Sequence, residues 1–320
     1  MPELKPWRSM EEQLNILQQR GLKVDHEAAA LNYLSRIGYY RLSGYWYPLR
    51  AIDHAHTATQ RRPVRSDNFV PDSHFEDVVQ LYVFDKRLRL LALDALERIE
   101  MAIRVDVAYL LGAKDPCAHQ NPECLHGNFA KRANRRGPHQ GKTDHQLWLE
   151  KFETMVWRAR KEPFIEHHSA KYQGHLPIWV AIEVWDFGLL SRLFAGMKYH
   201  DKNQIANKYG LASGDVLARW LRSLNFIRNV AAHHSRLWNI NVLERSPLPQ
   251  EWLGLDNAKP FMYFCIMQKM MAVICPNSSW GKRLMELLED FPETNNGALV
   301  LDDLGLNSHW RELWLSLCQK

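Results

Sequence analysis

The sequence predicts an all-α protein, and three observations carry that expectation. Apolar residues recur at helical spacing through most of the 320 residues. One stretch, 75–111, keeps that period with no Gly or Pro inside it. Nowhere do several short alternating strands follow one another, so a large sheet is not expected. A hydrophobic fraction of 46% with 24% charged residues suits a packed chain and excludes a disordered, collagen-like or disulfide-scaffold protein. The net charge of +5 is mildly basic, which is compatible with nucleic acid without requiring it.

The elements follow in order. Residues 9–19 start on a serine cap with early acids and carry Leu14 and Leu17, with Leu22 just beyond. A second helix is expected from Asp25 through Leu34. The aromatic block 37–49 holds two glycines and a proline and reads as a turn between short pieces. Residues 51–74 are polar and read as a linker. The long helix 75–111 comes next, then a Pro-, Gly-, His- and Asn-rich loop over 113–145. Helical patterning returns at 148–160, 178–194, 215–238, 260–274 and 280–288, with a short helix in the tail 304–318. This order suggests an N-terminal helical subdomain with its basic linker (1–74), a main helical domain (75–290) and a C-terminal helical tail (291–320).

Five cysteines at irregular spacing and a charged, polar opening do not read as a secreted disulfide framework, so a reducing cytoplasm is expected. No uncharged apolar run reaches the ~18 residues of a membrane span, and no membrane association is expected.

The chemistry concentrates in 221–239. Arg228, Asn229, His233, His234, Arg236 and Asn239 crowd into one short segment. On a continuous helix at about 100° per residue, Asn229, His233 and Arg236 share a stripe. Arg228 lies about 140° from His233 on that geometry, within reach of a long side chain. Leu221, Leu224, Ile227 and Ala231 form the opposite, buried side. Imidazole moves protons near neutral pH, and guanidinium grips a phosphate and neutralises charge in a transition state. RNA supplies its own nucleophile, the 2′-OH, so no metal or other cofactor is required. The plain alternative is a solvated helix face with a satisfied histidine, and residue chemistry alone leaves the two about even.

The segment RNVAAHH, 228–234, resembles the R-x-x-x-x-H signature of the HEPN ribonucleases. The fuller RNVAAHHSRLWN is similar to the Abi family of abortive-infection proteins, of the AbiD/AbiF type. Three further blocks agree in order: YLSRIGYYRLSGYWYPLR at 33–50, LYVFDKRLRLLALDALERIEMAIR at 81–104 and LPIWVAIEVWDFGLLSRLF at 176–194. The resemblance implies a HEPN-like helical bundle, active as a homodimer, that cleaves RNA without a metal in antiphage defence. It implies Arg228 and His233 as the catalytic pair and Asn229 as the residue that positions substrate or His233. His234, Arg236 and Asn239 belong to the Abi version of the motif as supporting residues. A restraining antitoxin, RNA or protein, is expected because a free ribonuclease is toxic. The alternative is a non-catalytic RNA-binding or interaction module on the same fold; a metal-dependent nuclease comes a distant third.

Other constellations carry weaker expectations. Glu97, Glu100 and Arg104 form a stripe, and Glu100 with Arg104 has ion-pair spacing. Glu100 could orient Arg228 or His233; a plain salt bridge is the commoner case. Glu183 lies in an apolar stretch and needs a partner if buried. Cys117, His119, Cys124 and His126 offer zinc-type ligands at a spacing that fits no usual site. The aromatic block 37–49 suits packing better than base stacking. Arg61, Arg62 and Arg65, with Lys131, Arg132, Arg135 and Arg136, are candidates for contacts to an RNA backbone.

Overall fold

The computed structural model describes residues 5–58, 63–134 and 136–318. It is mostly helical, as the periodicity predicts. In order the elements are α1 (Met10–Gln19), α2 (Glu27–Ile37), α3 (Tyr39–Trp46), β1 (Arg50–Ile52), α4 (His54–Thr57), β2 (Arg65–Phe69), α5 (Phe75–Gly112) and α6 (Gly127–Ala130). There follow α7 (Asp144–Arg158), α8 (Pro163–Lys171), α9 (Ile178–Ala181), α10 (Phe187–Gly196), α11 (Tyr199–Lys208) and α12 (Gly214–Ala232). The chain closes with α13 (Pro260–Ile274), α14 (Trp280–Glu289) and α15 (Trp310–Cys318).

The long helix α5 is the axis of the molecule. Its 38 residues reach roughly 57 Å at 1.5 Å per residue. Leu81, Leu88, Ala92, Ile99, Ile103 and Val107 are buried along it. Helices α3, α10, α11, α12, α13 and α14 pack on its flanks. No β-branched run or proline interrupts it, and the backbone N–H of His74 is held by the Asp77 carboxylate at 3.0 Å where the helix begins. A contiguous hydrophobic core runs from Leu14 and Leu17 of α1 to Trp310 and Trp314 of α15. Eight of the 12 tryptophans are among its most deeply buried side chains.

The structure refines the expected elements in four places. The aromatic block is a helix, α3, not a turn: Gly38 at φ 90° ends α2 and the chain re-enters a helix at once. Tyr45 and Trp46 are buried there against α5, so packing is their role, while Tyr40 is 91% exposed. The linker over 51–74 contains an antiparallel ribbon, β1 with β2, that pairs Arg50 with Phe69 and Ile52 with Arg65. The loop over 113–145 folds back onto the body, with Ala118 and His119 fully buried and an isolated bridge from Leu125 to Met197. The helix expected over 178–194 is broken. Asp186 caps α10 by accepting from the Leu189 N–H at 2.6 Å, and a 3-10 turn joins α9 to that cap. Glu183 sits exposed in this turn and needs no buried partner.

Candidate functional site

Helix α12 is amphipathic. Ser213 caps its start, and Leu217, Trp220, Leu221, Leu224, Ile227 and Ala231 face the core. It ends at Ala232, six residues earlier than its sequence pattern suggests. His233 is the C-cap residue, and His234 takes the left-handed conformation at φ 57°. The N–H of His234 bonds the carbonyl of Ala231 at 3.1 Å, and the N–H of Ser235 bonds that of Val230 at 3.0 Å. This pair of bonds is a Schellman termination, built here on a histidine where glycine is usual.

Both imidazoles are therefore exposed at the end of a rigid helix. Among the described residues the His233 ring has no hydrogen-bond partner, and its backbone N–H is held by the Asn229 carbonyl at 3.0 Å. Arg228 and Asn229, both half-buried, lie one turn back. The Arg228 guanidinium donates to Asn229 Oδ1 at 3.2 Å.

What fixes this end is the strand of chain that follows it. Asp85, in the middle of α5 and fully buried, accepts from the N–H groups of Leu237 and Trp238 at 3.0 and 2.7 Å. Its other oxygen accepts from Tyr45 Oη at 2.7 Å and from Arg89. Burial pushes the Asp85 carboxyl up, against the pull of Arg89, Tyr45 and the two N–H donors. Burial also pushes the Tyr45 phenol up, which keeps it a donor. From α3, Arg41 donates to the His234 carbonyl, and Arg236 donates back to the Gly44 carbonyl. Helices α3 and α5 thus clamp the segment 234–238 from two sides.

The model of a family described as Abi-like protein matches residues 32–239, more than half of the chain. The chain belongs to this Abi-like family. The matched span holds both halves of the clamp, from α3 to Trp238, and stops at Asn239. Membership supports a role in abortive infection. Comparison with curated proteins and with solved structures returned no match.

In this Abi-like chain the Arg228 and Asn229 side chains are in contact, and His233 follows at the end of the same helix. The other motif residues serve differently. Arg236 is not on their stripe, because the helix has already ended and its guanidinium turns back to α3. The Asn239 carbonyl accepts from Lys259 at 3.4 Å. Glu100 pairs with Arg104 at 2.6 Å, and Arg104 continues to the Trp185 carbonyl at 2.5 Å. The pair braces the break between α9 and α10 and makes no bond to Arg228 or His233.

The Cys/His residues of the folded-back loop take separate jobs. His119 is caged by Phe152, Trp148 and Trp185, with both ring nitrogens unpartnered, and burial holds it down at about 4. His126 accepts from the Asn128 N–H at 3.2 Å. Burial pushes the Cys117 and Cys124 thiols up. Among the described residues no group of three or more His, Cys, Asp or Glu side chains is placed to hold a metal ion.

Of the basic candidates, Arg65 is turned inward to the carbonyls of Pro48 and Arg50 at 2.8 and 2.6 Å, and Lys131 is paired with Glu123 at 2.7 Å. Arg132 and Arg136 are exposed. Arg61, Arg62 and Arg135 lie outside the described residues.

The sequence reading missed Asp85 and Arg89, and it did not tie Tyr45 and Arg41 of the aromatic block to the motif. A signal for Asp85 was present: it falls on the buried stripe Leu81, Asp85, Leu88, Ala92 of α5, where a lone carboxylate demands donors.

Proposed function

We propose that this chain is a metal-independent endoribonuclease acting in abortive infection, of the HEPN type. The observation that carries the reading is the exposed, unpartnered His233 imidazole on a clamped helix end, with the Arg228–Asn229 pair one turn behind it. His233 removes the proton from a ribose 2′-OH. The 2′-oxygen attacks the adjacent phosphorus as the P–O5′ bond breaks. Arg228 neutralises the charge that builds on the non-bridging oxygens, and Asn229 keeps the guanidinium in register. The leaving 5′-oxygen takes a proton from a second imidazole, supplied by His233 of a second copy across a two-fold axis. The products are a 2′,3′-cyclic phosphate, which opens to a 3′ phosphate, and a 5′-hydroxyl. An RNA or protein antitoxin restrains the enzyme in healthy cells.

The test is sequencing of RNA ends after induction, with purified protein assayed in excess chelator. Cuts with cyclic or 3′ phosphate ends in chelator, and toxicity abolished by His233→Ala, are expected. Cleavage that depends on added magnesium or manganese sinks this mechanism. Toxicity unchanged in His233→Ala points instead to an RNA-binding or interaction module.

A further inference from the structure

A cavity of ≈ 860 Å³ opens between α6, α7, α10, α11 and α12, within the range of about 300–1,000 Å³ usual for ligand sites. One wall is a stripe of the motif helix itself: Ala218, Arg222, Asn225, Phe226 and Asn229. The last of these is the residue that holds Arg228, so the cavity adjoins the proposed site of cleavage.

The lining is chemically mixed, and most of its charge is paired. Lys151, Lys202 and Arg222 are each tied to a carboxylate, Asp186, Asp215 and Glu244 respectively, at 2.6–2.7 Å. Arg192, on α10, is exposed at the rim and among the described residues has no ion-pair or hydrogen-bond partner. Asp144 and Glu244 are the acidic groups on the wall. The Asn225 carboxamide likewise has no hydrogen-bond partner among the described residues. It presents a donor and an acceptor in one plane, the pattern that reads a base edge. At the mouth, Tyr199 is 54% exposed and packs edge-on to His126 with centroids 4.8 Å apart. The Lys202 ammonium lies over the ring 4.8 Å from its centroid, so one face is covered and a base meets the exposed remainder.

We infer that this cavity receives one unpaired RNA nucleotide next to the scissile bond. Its phosphate lies on Arg192, its base edge on Asn225, and its base against Tyr199. The inference rests on the ribonuclease reading and adds a substrate class to it, single-stranded RNA. A base inside a duplex has its edge paired and its faces covered, so it cannot offer itself to Asn225 and Tyr199 together.

The test uses full-length His233→Ala protein and fluorescence anisotropy. The probes are a labelled single-stranded RNA, the same sequence as a duplex, and free mononucleotides as competitors. Single-stranded RNA is expected to bind about 10-fold tighter than duplex. Adding Arg192→Ala should weaken it about 5-fold and reduce the salt slope by about one counterion. Adding Asn225→Ala should flatten the preference among homopolymers by about 10-fold. Single-stranded RNA binding that neither change alters, in proteins with unchanged melting, overturns the cavity assignment and leaves the ribonuclease reading standing. Mononucleotides that bind as tightly as RNA overturn it in favour of a free nucleotide. If wild-type protein neither binds nor cuts RNA, the underlying reading falls with it.

Discussion

Arg228 and His233 lie more than one helix turn apart along α12 and its cap and, on the proposed mechanism, act on one transition state. Each alanine substitution alone should then lose nearly all cleavage, and the double variant should be hardly worse, as measured by single-turnover RNA cleavage. Arg228→Lys should be nearly as damaging, because the ammonium keeps the charge and loses the planar fork. Both side chains stand clear of Leu224 and Ile227, so thermal melts should be nearly unchanged. These residue types and their spacing were readable from sequence. The left-handed backbone at His234 was not, since nothing local marks a histidine for a position that favours glycine. His119 gives a separate expectation. Its folded value of about 4 lies below the ordinary 6.5, so between those values the unfolded chain binds the proton that the folded chain refuses. Stability is complete above pH 6.5 and falls as pH drops toward 4, by about 3 kcal/mol in all. Urea titrations across that range should show this slope, and His119→Leu should flatten much of it.

At the scale of elements, the clamp from α3 and α5 decides whether the motif has a shape at all. Asp85→Ala removes the acceptor for two backbone N–H groups, a phenol and a guanidinium, and leaves Arg89 buried without its partner. Unfolding free energy should fall by about 3–5 kcal/mol, read by urea denaturation. Cleavage should drop even at temperatures where the variant is folded, because residues 234–238 lose their anchor. The helices most legible in sequence were those with an uninterrupted apolar period, α5 and α13. The two misjudged ends, at Ala232 and at the α9–α10 break, share a cause. In both, the helix boundary falls where the apolar pattern runs on: backbone bonds at His234 and Ser235 end α12 before Leu237 and Trp238, and Asp186 starts a new helix before Phe187. Period alone does not register such a cap. The clamp partners escaped for a related reason: pairing Asp85 with Leu237 spans 152 positions, and a single sequence does not state distant pairings.

At the scale of the whole molecule, a single motif copy offers one exposed His233 where cleavage asks for a proton acceptor and a proton donor. The expected active species is therefore a two-fold dimer with the ends of both α12 helices at its interface. Light scattering should give twice the 37.5 kDa chain mass under conditions in which RNA is cut. A monomer that cuts RNA at full rate would reject that arrangement. The mostly helical architecture was visible in sequence, while the β1–β2 ribbon and helices α8 and α11 were not. The way the loop over 113–145 folds back was not, because Ala118, Leu125 and Phe129 are too sparse among Pro, Gly and Asn to show a period.

The contact from Arg41 to the His234 carbonyl also bears on how the chain is born. The two residues are 193 positions apart, so at about 5–20 residues per second Arg41 leaves the ribosome roughly 10–40 s before its partner is made. Until the segment 234–238 emerges, α3 and Asp85 have nothing to hold, and a chain released early carries no assembled motif. On the ribonuclease reading, the order of synthesis thus withholds the cleaving site until both halves of the clamp have been made.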